Sequence, residues 1–120
     1  MKSIAKIVIT GKMGTMPKRK LAENPVAYTL SVVGPSWTCL ILRDLLQHGA
    51  RRFQDLQDSL VGIAPTTLSE RLRTLERNGV VERRFYSMSP PRAEYVLTEK
   101  GRDLGPIVGA MRAWGRKYAR

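Results

Sequence analysis

The sequence predicts a mainly helical domain carrying one small β-hairpin, an α+β fold. Three observations point there. Apolar residues recur at three- and four-residue spacing in successive stretches between residues 26 and 75. Two short runs rich in β-type residues, Val80 to Tyr86 and Ala93 to Leu97, then flank a proline-containing gap. A final helical pattern closes the chain. With 120 residues, of which 42% are hydrophobic, the chain fits one domain with its own core.

The elements follow in order. Organised structure is expected from Asn24-Pro25 onward. Val26, Leu30 and Val33 lie at helical spacing, and Gly34-Pro35 stops that helix. Ser36 is the expected N-cap of the next segment, PSWTCLILRDLL, residues 35–46. That segment is apolar on most faces and is therefore the central buried helix. His48-Gly49 ends it, with His48 favourably placed at the negative end of the helix dipole. Phe53, Leu56 and Leu60 mark a third helix. After Val61-Gly62-Ile63 a fourth opens at Pro65, carries Leu68, Leu72 and Leu75 inward, and closes at Asn78-Gly79. Proline suits the first helical position, because its missing amide proton has no partner there. With Ala64 as N-cap, Ile63 and Leu68 occupy the two positions of a hydrophobic staple.

Helix, short glycine-containing turn and helix make a helix-turn-helix. The two strands follow directly, joined across Ser87 to Arg92, so the order becomes that of a winged helix. Thr98 is expected to cap the last helix, with Glu99 near its positive end. Pro106 should kink that helix by removing the hydrogen bond to the carbonyl of Arg102.

Composition narrows the function. Lys and Arg total 21 against 10 Asp and Glu, a net charge of +11. Such an excess suits a polyanionic partner, nucleic acid first and an acidic membrane surface second. Six of the basic residues (Lys2, Lys6, Lys12, Lys18, Arg19 and Lys20) fall in residues 1–20 with no acidic one. Residues 1–23 therefore read as a basic arm, broken by Gly11, Gly14 and Pro17, with a strand-like run from Ile4 to Thr10. Residues 24–120 read as the domain proper. One cysteine and one histidine cannot by themselves fill a zinc site. No apolar run approaches the ~18 residues of a membrane span, and the expected location is the cytoplasm. No nucleophile motif, phosphate-binding glycine loop or cofactor signature accompanies the single histidine, so neither an enzyme nor a cofactor is expected.

PSWTCLILRDLL (35–46), RRFQDLQDSLVGIAPTTLSERLRTLERNGVVERR (51–84) and PPRAEYVLTEKGRDLGP (90–106) resemble the HxlR-type, MarR-related winged-helix transcription regulators. The motifs are Trp37 opening the buried helix, the Arg-Phe entry, Leu-Ser-Glu-Arg-Leu in the fourth helix, and Pro-Pro-Arg with Glu-Tyr in the wing. The resemblance implies a dimeric bacterial DNA-binding regulator with no separate ligand domain. Some members place a redox-reactive cysteine before the first helix as Cys-Pro. Here that position is Asn24-Pro25, so thiol sensing does not transfer.

The recognition helix is then about 65–78, in the major groove, and the wing about 80–97, on the backbone or minor groove. With its leucines turned to the core, Thr66, Thr67, Ser69, Glu70, Arg71, Arg73 and Thr74 remain for DNA. Alanine at position 64 leaves the amides of Thr66 and Thr67 without a side-chain cap, and the acceptor is either a DNA phosphate or, equally, a water molecule or the Thr67 hydroxyl. Arg83, Arg84 and Arg92 supply the wing. Neighbouring strand residues alternate faces, so Arg83 and Arg84 diverge and one is expected to meet Glu82 or Glu94. Arg51 and Arg52 are weaker phosphate candidates.

Leu104, Ile107, Met111, Trp114 and Tyr118 form a heptad-like stripe, and with Leu30 they are the expected homodimer interface. Gly101, Gly105 and Gly109 are candidate sites of close helix approach. Cys39 is expected to be buried and inert, and Trp37 to be core. The expected partners are a pseudo-palindromic duplex operator and a second copy of the chain. A small-molecule effector between the first helices and the dimer interface is possible in principle, but no residue constellation marks one. The alternative is a nonspecific nucleic-acid-binding protein, which the charge alone would serve.

Overall fold

The computed structural model describes residues 23–119. The basic residues 2–20 and the strand-like run Ile4 to Thr10 lie outside the described residues. Six helices and one hairpin follow: α1 Pro25–Val33, α2 Thr38–His48, α3 Phe53–Ser59, α4 Pro65–Arg77, β1 Val81–Met88, β2 Pro91–Leu97, α5 Glu99–Arg102 and α6 Gly105–Tyr118. The mainly helical, winged-helix expectation holds.

Asn24 starts α1 for a plain reason: its side chain accepts the amide of Ala27 at 3.0 Å, and Pro25 occupies the first turn. The centre of the core is α2, as expected. Ile41, Leu42 and Leu45 of α2, Leu56 of α3, and Leu68, Leu72 and Leu75 of α4 are at most 2% exposed. Each such side chain contributes about 1.5–3 kcal/mol of burial. Val108 anchors α6 on the same cluster.

Several boundaries depart from expectation. Ser36 does not cap α2. The residue before the helix is Trp37, in the left-handed region at φ 74°, with no side-chain cap. A bulky residue there is strained. The half-buried ring of Trp37 packs on the core and holds it in place. Cys39 is half-buried rather than buried, and its Sγ approaches the Val33 carbonyl at 3.4 Å. The strands run longer than predicted, leaving Ser89-Pro90 as the turn, and Arg92 lies within β2 opposite Ser87. The last helix is broken rather than kinked. It stops at Arg102 and restarts at Gly105, with Pro106 in the new first turn.

The three glycines do not share one role. A Cβ on Gly101 would strike the Val80 backbone, so this residue lets α5 sit against the root of the wing. A Cβ on Gly105 would make only ordinary contact with Leu46, and one on Gly109 would meet nothing.

A buried acid ties the parts together. Asp44, 2% exposed, accepts from Arg51 Nε at 3.1 Å and from Ser59 Oγ at 2.7 Å. His48 Nε2 lies 3.8 Å from the same carboxylate, so it has a side-chain neighbour besides the helix dipole. Arg51 also exchanges two backbone hydrogen bonds with Tyr95, at 3.0 and 2.7 Å. The wing thereby gains a third strand one residue long. Arg51 is thus a structural residue, and Arg52 pairs with Asp55 at 3.2 Å.

Candidate nucleic-acid interface

Three leucines fix the roll of α4 about its axis. With Leu68, Leu72 and Leu75 inward, Thr66, Glu70, Arg73 and Arg77 are exposed on the far side. Thr67, Ser69, Arg71 and Thr74 are half-buried on the flanks. Arg77 was not among the predicted residues, because Asn78-Gly79 drew attention to the helix end rather than to its outer face. The start of α4 is as expected: Ala64 makes no side-chain cap, and Pro65 fills the first position.

Most of the cationic side chains already have partners. Arg71 donates from Nε to the Ser36 carbonyl at 2.8 Å and from Nη2 to Ser36 Oγ at 3.3 Å. It is therefore turned to the flank, across the α1–α2 turn, and must leave Ser36 to reach a base. Arg77 reaches Thr74 Oγ1 at 3.2 Å, and Arg73 reaches Ser69 Oγ at 3.5 Å. Arg83 lies 3.9 Å from Glu76 and sits over the Phe85 ring, 5.5 Å from its centroid. Arg84 lies 3.7 Å from Glu94 on the opposite strand, as the alternation predicted. Arg92 is exposed and has no ion-pair partner among the described residues.

The strand pairing explains why Arg83 and Arg84 part. Arg83 pairs with Tyr95 and faces α4, whereas Arg84 pairs with Glu94. The register slips between Phe85 and Ser87, a bulge that re-aims the outer half of the wing.

A second surface is apolar. Pro25, Val26, Leu30, Trp37, Leu40, Ile107 and Met111 are among the residues lining a groove of about 720 Å³ between α1, α2 and α6. Trp114 and Tyr118 continue α6 beyond it, 68% and 57% exposed, with ring centroids 5.1 Å apart. Of the predicted interface residues, Ile107, Met111, Trp114 and Tyr118 are exposed and Leu30 lines the groove. Leu104 is half-buried against the core of its own chain. Val26 and Leu40 belong to the same face and were missed, since the sequence shows their spacing but not which side of the helix is free.

Among the described residues no cluster of His, Cys, Asp or Glu is arranged for a metal, and no single helix is long and apolar enough to cross a membrane.

The profile of the HxlR-like helix-turn-helix family matches residues 32–120. The chain belongs to that family. It is 40% identical over 94 residues to the HTH-type transcriptional regulator YdeP of Bacillus subtilis, covering 78% of this chain and 73% of YdeP. Over 101 residues it is 40% identical to YtcD of the same organism, covering 84% of this chain and 79% of YtcD. Among solved structures, the redox regulator HypR in its reduced form superposes with a TM-score of 0.74 at 38% identity, covering 78% of this chain and 92% of HypR. The crystal structure of PA1607 does so with 0.75 at 40% identity, covering 87% of this chain and 71% of PA1607. These are transcriptional regulators, and the chain is a DNA-binding regulator of that kind rather than an enzyme.

Proposed function

We propose that this HxlR-like regulator is a sequence-specific, double-stranded DNA-binding homodimer of the bacterial cytoplasm. The recognition helix α4 enters the major groove, with Thr66, Glu70 and Arg73 towards base edges. Thr67, Ser69, Arg71 and Thr74 lie on its flanks, and the amides at the start of α4 meet a phosphate. Arg92 and the Arg83–Arg84 stretch engage the backbone or minor groove. The observation that carries this is the rigid presentation of α4. Three fully buried leucines lock its roll, and the opposite face is polar and exposed.

The dimer reading rests on complementarity within one helix. Ile107 and Met111 line an apolar groove, while Trp114 and Tyr118 project from the same α6 with no cover among the described residues. A two-fold pairing lets each subunit's distal α6 cover the other's groove, an isologous contact. Two α4 helices then face DNA half-sites about 34 Å apart. Genomic footprinting tests the whole reading. Discrete protected sites, each with two inverted half-sites, are expected. Uniform coverage would favour nonspecific binding.

A further inference from the structure

Between α4 and the wing lies a polar cleft of about 430 Å³, lined by Ser69, Arg73, Glu76, Arg77, Arg83 and Tyr95. Sequence reading placed Arg73 and Arg83 on separate elements and singled out none of Glu76, Arg77 and Tyr95 for DNA. The fold puts all of them on one concavity. It holds three guanidinium groups against one carboxylate.

Each arginine has a neighbour within the chain. Arg77 is held by Thr74, and Arg73 by Ser69. Arg83 is positioned by Glu76 on one side and by the Phe85 ring on the other. Tyr95 is half-buried, bridged to Arg51 through its backbone, and paired with Arg83 across the hairpin. Burial pushes its phenol up, so the hydroxyl keeps its proton. Nearly every polar group lining the cleft can donate, and only Glu76 is purely an acceptor. A phosphate oxygen accepts only, whereas a base edge offers donors and acceptors together.

We propose that this cleft seats one backbone phosphate of the bound duplex, gripped from α4 by Arg77 and from the wing by Arg83 and the Tyr95 hydroxyl, while Arg73 of the same lining is left to the bases. Glu76 is the internal counter-ion. It holds Arg83 in place when DNA is absent and releases it to the strand when DNA arrives. The Glu76–Arg83 pair is long and partly exposed, with side chains 35% and 49% accessible, so the exchange costs little. Glu76 also repels the incoming phosphate. It therefore restrains binding to every duplex equally and leaves base preference to the outer face of α4. This proposal rests on the DNA-binding reading above.

The test uses the full chain, one footprinted operator and one random duplex. Each operator phosphate is replaced in turn by a neutral methylphosphonate. For the wild type, one position per half-site should weaken binding most. In Arg83→Gln and in Tyr95→Phe, neutralising that same phosphate should cost much less. The salt slope of Arg83→Gln should fall by about 1 per subunit. Glu76→Gln should bind both duplexes about threefold to tenfold more tightly, the direction expected on removing a like charge beside a phosphate. Thermal melts confirm that each variant is folded.

Equal losses in wild type and variants at every phosphate would overturn the seat while leaving DNA binding intact. Weaker binding by Glu76→Gln would overturn its role as counter-ion. If inorganic phosphate binds the wild type but not Arg83→Gln, and at matched ionic strength leaves duplex affinity unchanged, the seat belongs to the free ion and the strand assignment fails. A wild type that binds neither duplex defeats the DNA-binding reading, and this inference falls with it.

Discussion

The molecule presents two surfaces of opposite character on one small scaffold. On the α4–wing face nearly every cationic group has a partner inside the chain: Arg71 with Ser36, Arg77 with Thr74, Arg83 with Glu76, Arg84 with Glu94. On the α1–α2–α6 face, Val26, Leu40, Met111, Trp114 and Tyr118 are exposed, and nothing among the described residues covers them. The difference is instructive. A charged surface stays in water at small cost, so it can wait with its side chains pre-arranged for a ligand that comes and goes. An apolar surface of this size gains by leaving water, and its natural state is to be covered. The first face suits a reversible partner, and the second suits a lasting one.

The largest expected effect removes the floor beneath the first face. Leu72→Ala leaves a cavity under α4 and should destabilise the fold by about 2–5 kcal/mol, read by urea denaturation. DNA affinity should fall with the folded fraction. A stable Leu72→Ala variant would mean that α4 is not held by its leucines.

Next comes the second face. Trp114→Ala should weaken self-association by about 2 kcal/mol or more if the ring is a buried anchor, measured by sedimentation at several concentrations. The monomer should remain folded, because Trp114 is exposed within its own chain. An unchanged dimer, or a wild type that is monomeric at micromolar concentration, contradicts the assignment of this surface.

Within the first face, Arg73 and Arg71 should separate. Arg73→Ala should relax preference at particular base pairs by about 1–3 kcal/mol. Arg71→Ala also removes the tie to Ser36, so it should lower thermal stability slightly as well as altering base preference. Library selection and melting, run on both variants, decide between them. Smaller still is the arm. Deleting residues 1–20 should make the salt slope shallower by one or two, with base preference unchanged. An unchanged slope means that the arm does not touch DNA.

The smallest effect expected is none. Asn24 occupies the position before α1 and is employed as a cap. Cys39 is half-buried beside the Val33 carbonyl, and burial pushes its thiol up, away from the reactive thiolate. Mild peroxide should therefore leave DNA affinity unchanged. A reversible loss that Cys39→Ser abolishes would refute this.

Much of this architecture was legible in the sequence because its signals are local. Pro65 with three spaced leucines defines α4, and Asn78-Gly79 closes it with Gly79 at φ 71°. The errors came where a distant contact decides. Ser36 looks like a cap, yet Trp37 takes the turn because its ring has a seat in the core. Arg71 looks free in a helical projection, yet the α1–α2 turn crosses beside it. Asp44 sits in an apolar helix with no local hint that Arg51 and Ser59 will meet it. Pro106 announced a disturbance, but the full break shows only in the fold, where the Leu104 amide bonds back to the Gly101 carbonyl and α6 restarts at Gly105. In the site, single residues were legible, whereas the cleft joining Arg73, Arg77, Arg83 and Tyr95 exists only once the hairpin folds back on α4.

The central claim is that a two-fold pair of α4 helices reads sequence, and selection of bound duplexes from a random library tests it most directly. The expected outcome is one enriched motif made of two inverted half-sites about one helical turn apart, or a multiple of it. Recovery of no enriched motif by the wild-type protein would contradict it.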